Sequence, residues 1–167
     1  ISSAILILVG FIDDRAGLKP LVKLGGQAIA AAVFYYIYYP GGFSIAGFEI
    51  PRVAAWVIFV IWCVTIMNAF NLIDGLDGLC GGLVIVSLSM ILAIAWSNGN
   101  WRDSAFIILM IGAVAGFLIY NFNPARLFLG DAGSMMLGFF IASSANDIAG
   151  ERALIGSLIL PIAIAGV

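Results

Sequence analysis

Long apolar runs alternate with short connections rich in glycine, aspartate and asparagine along the whole chain. Ile1–Ile12 closes one apolar run. Others occupy Leu24–Tyr39, Val53–Phe70, Leu79–Trp96, Ala105–Asn121, Ser134–Ala149 and Ala153–Val167. A helix needs about 20 mainly apolar residues to cross the hydrocarbon core of a bilayer, with a usual range of ~17–25. Each run is therefore predicted to span, the shorter ones because polar or glycine-rich connections bound them. The expected fold class is all-α, a polytopic transmembrane helical bundle with about seven spanning segments, the first and last cut by the chain ends. Residues 1–167 then form a single integral-membrane domain truncated at both ends, an internal fragment of a longer chain.

Alternating spans place every second connection on the same side of the membrane. Asp13–Lys23, Asn68–Gly78 and Phe122–Gly133 share one face and hold Asp13, Asp14, Asp74, Asp77 and Asp131. Pro40–Arg52, Ser97–Ser104 and the Gly150–Arg152 turn lie opposite, with Glu49, Asp103 and Glu151 scattered singly. Lysine and arginine in short loops favour the cytoplasm. Lys19 and Lys23 both fall on the aspartate side, which orients that face towards the cytoplasm. Tyr38, Tyr39, Trp96 and Trp101 flank the opposite connections, where interfacial aromatic residues are expected. Phe43–Ile50 reads either as a small hairpin or as an irregular loop.

Composition narrows the class further. The chain is 63% hydrophobic and 10% charged, with a mean hydropathy of +1.17. A soluble domain carries about 25% charged residues, so these charges cannot build a water-facing surface. The net charge of -2 and the lack of a basic stripe argue against nucleic acid as a partner. Cys63 and Cys80 sit in separate apolar runs and read as small buried hydrophobes. The absence of histidine excludes an imidazole base or ligand within these residues. Gly112 and Gly116, four apart in an apolar helix, suggest a helix-packing face.

Three connections carry candidate chemistry. In Phe11-Ile12-Asp13-Asp14-Arg15, followed by Lys19, Pro20 and Lys23, adjacent carboxylates end an apolar run. They mark either a plain helix end or a site. In the run from Asn68 through Asn71, Asp74 and Asp77 to Leu79, the first three polar residues share one helical face. Two Asp-Gly steps predict that the backbone turns after Asp74. A polar seam between helices is the alternative, but ionisable residues within a membrane are functional by default. In the third, Asn121 to Ser134, Gly130 and Gly133 bracket Asp131 and allow close approach of a ligand. Ser134 is placed to cap the following helix.

Five aspartates on one face, in a chain with nine acidic residues, require positive charge among them. Two carboxylates ~4 Å apart repel by ~4 kcal/mol at an effective dielectric near 20. Hard oxygen donors without histidine or paired thiolates suit Mg²⁺, or Mn²⁺, rather than zinc. Mg²⁺ commonly combines one or two carboxylates with substrate phosphate oxygens, which implies a phosphate-bearing substrate.

Taken in order, the Asp-Asp pair with its downstream lysine, the Asn-x-x-Asn-x-x-Asp-Gly-x-Asp-Gly-Leu run and Phe-Leu-Gly-Asp-x-Gly-Ser resemble the polyprenyl-phosphate N-acetylhexosamine-1-phosphate transferases, a bacterial family that includes the phospho-N-acetylmuramoyl-pentapeptide transferases. The resemblance implies a multi-pass enzyme of the plasma membrane that uses Mg²⁺, a UDP-N-acetyl sugar and a polyprenyl phosphate lipid, with its site on the cytoplasmic face. It names Asp13, Asp14, Asp74 and Asp77 as catalytic candidates, and Asp131 with Asp74 as the metal candidates. Lys23, Asn68, Asn71 and Asn121 become substrate-binding candidates; Arg126 joins them from outside the matched motifs. It also implies a histidine-containing loop beyond Val167. The Asn-Ala-Phe-Asn wording favours the N-acetylglucosamine-phosphate branch over the muramoyl-pentapeptide branch. The oligomeric state is left open, a homodimer included.

Rival classes predict other patterns. A cation-coupled transporter places carboxylates near mid-membrane on broken helices, whereas these gather at one face. A CDP-alcohol type transferase shares Asp-Gly-rich motifs at a different spacing. Direct attack on phosphorus and an aspartyl-phosphate intermediate both fit an aspartate-rich site.

Overall fold

The computed structural model describes residues 1–39, 43–45 and 48–146. In chain order these form α1 (Ser2–Ala16), α2 (Pro20–Tyr38), the strands β1 (Phe43–Ile45) and β2 (Phe48–Ile50), α3 (Arg52–Ile73), α4 (Leu79–Ser97) and α5 (Trp101–Asn121). A further helix, α6, covers residues 130–146. The architecture is helical, as expected. The two strands pair antiparallel with Phe43 opposite Ile50 and Ile45 opposite Phe48, so the described residues of this segment follow the hairpin reading. The predicted span Ala153–Val167, the Gly150–Arg152 turn and Asp147 lie outside the described residues.

Among the described residues, four helices are long and apolar enough to cross a membrane: Pro20–Tyr38, Arg52–Ile73, Leu79–Ser97 and Trp101–Asn121. The estimate of about seven spans is thus matched for four. Their outward faces carry bare hydrophobes, with Leu109 70% and Ile119 75% exposed. Water would penalise that surface, and lipid would not.

Several boundaries differ from expectation for local reasons. α1 runs past the Asp-Asp pair to Ala16 and stops where Gly17 turns left-handed at φ 63°. α2 starts at Pro20, not Leu24, because proline is pre-organised for the first helical position. Lys23 therefore sits in a helical turn, not in a loop. α6 starts at residue 130, so Ser134 is not its N-cap; the Ser134 hydroxyl donates back to the Gly130 carbonyl at 3.0 Å. A Cβ added at Gly112 or Gly116 would meet nothing within 4 Å among the described residues, so no close helix packing on these glycines is seen there.

The chain divides into two compact units. The first comprises Ile1–Asn71 with Gly130–Ala142; the second comprises Leu72–Leu129 with the chain from Ser143 onward. In the first, glycines let helices meet at backbone distance, the usual device where packing rather than hydrophobic expulsion drives association. Gly10 of α1 lies against the backbone of Ala132 in α6. A Cβ on Gly138 of α6 would come within 2.8 Å of the Met67 Cα in α3. Phe34 of α2 meets Phe139 of α6 edge-on at 5.2 Å, and Trp62 of α3 donates to the Ala142 carbonyl at 3.2 Å. In the second unit, α4 packs on α5, with Leu118 and Val114 of α5 lying against Gly81 of α4.

Gly138→Ala is expected to destabilise the protein by ~1–3 kcal/mol, the usual cost of overpacking. The neighbour is backbone and cannot rotate away. Thermal unfolding in detergent would show a lowered midpoint, and an unchanged midpoint would refute this contact.

Candidate functional site

The first unit gathers its polar side chains around one lysine. At the end of α1 the left-handed Gly17 reverses the chain, so the Leu18 N–H donates to Asp13 Oδ1 at 2.7 Å. The other oxygen, Asp13 Oδ2, receives Lys23 Nζ at 2.9 Å. A carboxylate at a helix C-terminus opposes the helix dipole, and Lys23 offsets that cost. Asp13 and Lys23 are both largely buried, with side chains 10% and 14% exposed.

The same ammonium reaches two further helices. It donates to Asn71 Oδ1 of α3 at 2.9 Å and to Asp131 Oδ2 of α6 at 2.5 Å. Asn71 closes the triangle, since its Nδ2 donates to Asp131 Oδ1 at 2.7 Å and to the Ser134 hydroxyl at 2.9 Å. Asp14 accepts the Asp131 N–H at 2.9 Å and thereby serves the exposed amide end of α6. Gly130 leaves room for this, because a Cβ there would lie 2.8 Å from Asp14 Oδ2. Five of the residues singled out by sequence, Asp13, Asp14, Lys23, Asn71 and Asp131, are thus brought together in one unit.

Asp131 precedes the apolar stretch that begins at Ser134. Burial pushes its carboxyl up, but hydrogen bonds from Lys23 and Asn71, together with the Lys23 charge, outweigh burial and hold it down at about 2. It is ionised at any physiological pH. Its side chain remains 32% exposed, so lone pairs not taken by Lys23 and Asn71 face outward.

The donor chemistry suits a hard cation. Asp13, Asp14 and Asp131 offer oxygen only, and neither histidine nor thiolate competes among them. Among the described residues no three acidic, histidine or cysteine side chains stand in a metal-holding group. Mg²⁺ does not demand one, because it keeps several waters and completes its shell with substrate phosphate.

The second unit holds the remaining candidates. Asp74 is half-buried after the end of α3 and hydrogen-bonds Cys80 in the first turn of α4. Cys80 therefore does more than fill space. Asp77 Oδ2 accepts from Asn123 Nδ2 at 3.1 Å and from the Ala125 N–H at 3.0 Å, which pins the connection after α5. Asn121, 4% exposed, joins the same two segments: it accepts the Gly78 N–H at 3.0 Å and donates to the Leu127 carbonyl at 2.8 Å. Arg126 is exposed and, among the described residues, pairs with no carboxylate.

Asn68 points elsewhere. Its Nδ2 donates to Gln27 Oε1 and to the Val64 carbonyl, each at 2.7 Å. Sequence reasoning passed over Gln27. Its signal was available: a lone amide in a predicted span, four residues after Lys23.

A family model described as glycosyl transferase family 4 matches residues 1–148. The chain is 38% identical over 147 residues to a phospho-N-acetylmuramoyl-pentapeptide-transferase of Streptococcus pneumoniae (strain Hungary19A-6), covering 81% of this chain and 45% of that protein. It is 39% identical over 148 residues to the protein of that name from Streptococcus thermophilus (strain CNRZ 1066), covering 81% and 44%. Over 172 aligned residues it is 36% identical to a probable undecaprenyl-phosphate N-acetylglucosaminyl 1-phosphate transferase of Bacillus subtilis (strain 168), covering 100% of this chain and 48% of that protein. The chain spans about half the length of the curated relatives it matches.

Proposed function

The chain belongs to glycosyl transferase family 4, and on that premise we propose that its parent protein transfers an N-acetylhexosamine-1-phosphate from a UDP-sugar to a polyprenyl phosphate, such as undecaprenyl phosphate. UMP is released, and a lipid-linked diphosphosugar remains that starts a cell-surface glycan. The site faces the cytoplasm of a bacterial plasma membrane. The observation that carries this reading is the Lys23-centred cluster, which binds Asp13, Asn71 and Asp131 from separate helices into one charged surface.

The residues divide the work. Asp13 spends one oxygen on the Leu18 N–H and the other on Lys23, so it fixes the lysine. Lys23 keeps the charges of Asp13 and Asp131 together and adds positive potential for phosphate. Asp14 is the more exposed of the pair and keeps Oδ2 free of the Asp131 N–H. It takes the proton when the lipid phosphate arrives protonated. An oxygen of that phosphate attacks the sugar-linked phosphorus, and the bond to the departing UMP oxygen breaks. Asp131 would hold Mg²⁺ through its exposed carboxylate, and Asp74 is a metal candidate by its motif alone. Bound Mg²⁺ supplies charge neutralisation on the diphosphate and leaving group.

N-acetylglucosamine is the sugar favoured, because the relative named for it aligns with 100% of this chain. Phospho-N-acetylmuramoyl-pentapeptide is the second reading, favoured by identities of 38–39% over the shorter span. The parent enzyme in undecaprenyl-phosphate micelles separates them. Label from UDP-N-acetylglucosamine should enter the lipid fraction, while UDP-N-acetylmuramoyl-pentapeptide should not compete. Transfer from the pentapeptide donor alone would reverse the choice.

A further inference from the structure

Beneath the charged cluster lies a second polar layer. Gln27 of α2 is 0% exposed, in a helix apolar enough to span the membrane. Its Oε1 accepts from Asn68 of α3 at 2.7 Å, and its Nε2 donates to Met135 Sδ of α6 at 3.0 Å. Each member stands one helical turn from a member of the cluster above. Gln27 follows Lys23 by four residues, Asn68 precedes Asn71 by three, and Met135 follows Asp131 by four. Residues three or four apart share a helix face. The same three helices are therefore tied twice, once through charge and once through a buried amide.

A buried amide is costly unless its hydrogen bonds are met, and a leucine would fill the space without that cost. What the amide adds is direction. A satisfied polar network fixes one arrangement of its helices where apolar packing tolerates several. Rotation of α3 by a few degrees would carry Asn71 away from both Lys23 and Asp131, and the Gln27–Asn68 bond resists that rotation.

The geometry points to Gln27 as a positioning residue for the transfer reaction: through Asn68 it holds the α3 face that keeps Asn71 between Lys23 and Asp131. This role rests on the function proposed above. Gln27 touches no substrate; it acts through Asn71.

The test uses the full-length parent enzyme and UMP release. Gln27→Met keeps the length of the side chain and removes the acceptor. It should lower kcat by ~10–100-fold, the usual range for residues that orient a site from behind, with KM for the UDP-sugar little changed. Gln27→Glu retains an oxygen for Asn68 and should recover most of kcat. Asn68→Leu removes the same bond from the other side and should reproduce the kcat loss. Thermal unfolding, measured in parallel, normalises each rate to folded protein. A lowered unfolding midpoint with wild-type kcat per folded molecule would reduce Gln27 to a packing residue and overturn the inference. So would a Gln27→Glu enzyme as slow as Gln27→Met. A wild-type parent that released no UMP would instead overturn the transfer reading itself.

Discussion

Asp131→Asn in the full-length parent enzyme is expected to slow UMP release by ~10²–10³-fold, the scale on which removal of one preorganised electrostatic group acts. Asparagine preserves the size of the side chain, and its carbonyl oxygen can still accept from Lys23 or Asn71. The fold should therefore survive. What disappears is the full negative charge that Lys23 and Asn71 together hold ionised, and with it the anionic ligand proposed for Mg²⁺. Higher Mg²⁺ should restore little of the rate, because a neutral amide is a poor substitute for a carboxylate at a hard cation. Steady-state kinetics with purified variant and wild type, at matched folded fraction, decides it. A variant within a few-fold of wild type would remove Asp131 from the chemistry.

Lys23→Met should damage stability as well as rate. Lys23 is the shared partner of Asp13, Asn71 and Asp131, in a pocket where its side chain is 14% exposed. Removing one partner of a largely buried ion pair typically costs ~3–5 kcal/mol, because the remaining charge stays desolvated and unpaired. Here two carboxylates lose their cation together. A marked fall in the unfolding midpoint and loss of measurable UMP release are expected. Adding Asp13→Asn to Lys23→Met should recover part of the midpoint, since one orphaned charge is gone, but not the rate. Recovery of both would show that Lys23 serves the fold alone. Lys23→Arg is not a conservative control, because a planar guanidinium cannot replace a point charge held by three oxygens.

The apolar runs made the helices legible before any coordinates, since a bilayer leaves a spanning chain little choice but helix. Boundaries were harder to read because they depend on single residues. Gly17 and Pro20 moved the ends of α1 and α2 by a few positions, and this placed Lys23 on a helix and not in a loop. Spacing alone did not reveal that Gly130 opens α6 with Asp14 accepting the Asp131 amide, because that contact joins residues far apart in sequence. The same applies to Asp77 and Asn121. Sequence marked both as candidates for chemistry, whereas their hydrogen bonds tie the 74–78 turn to the connection after α5. Composition anticipated positive charge among five aspartates, supplied by a divalent cation; the structure shows a lysine in that place for two of them, Asp13 and Asp131. Lys23 supplies that charge within the chain. Gln27 escaped notice because one amide in an apolar run carries no period, and only the packed helices show what it touches.

The most direct test of the central claim is UMP release by the full-length parent enzyme from UDP-N-acetylglucosamine, with and without undecaprenyl phosphate and Mg²⁺. Release that requires both, with label recovered in the lipid fraction, is the predicted result. No release from any UDP-N-acetyl sugar, together with aspartate-dependent cation flux in proteoliposomes, would contradict it and make the membrane carboxylates a transport site.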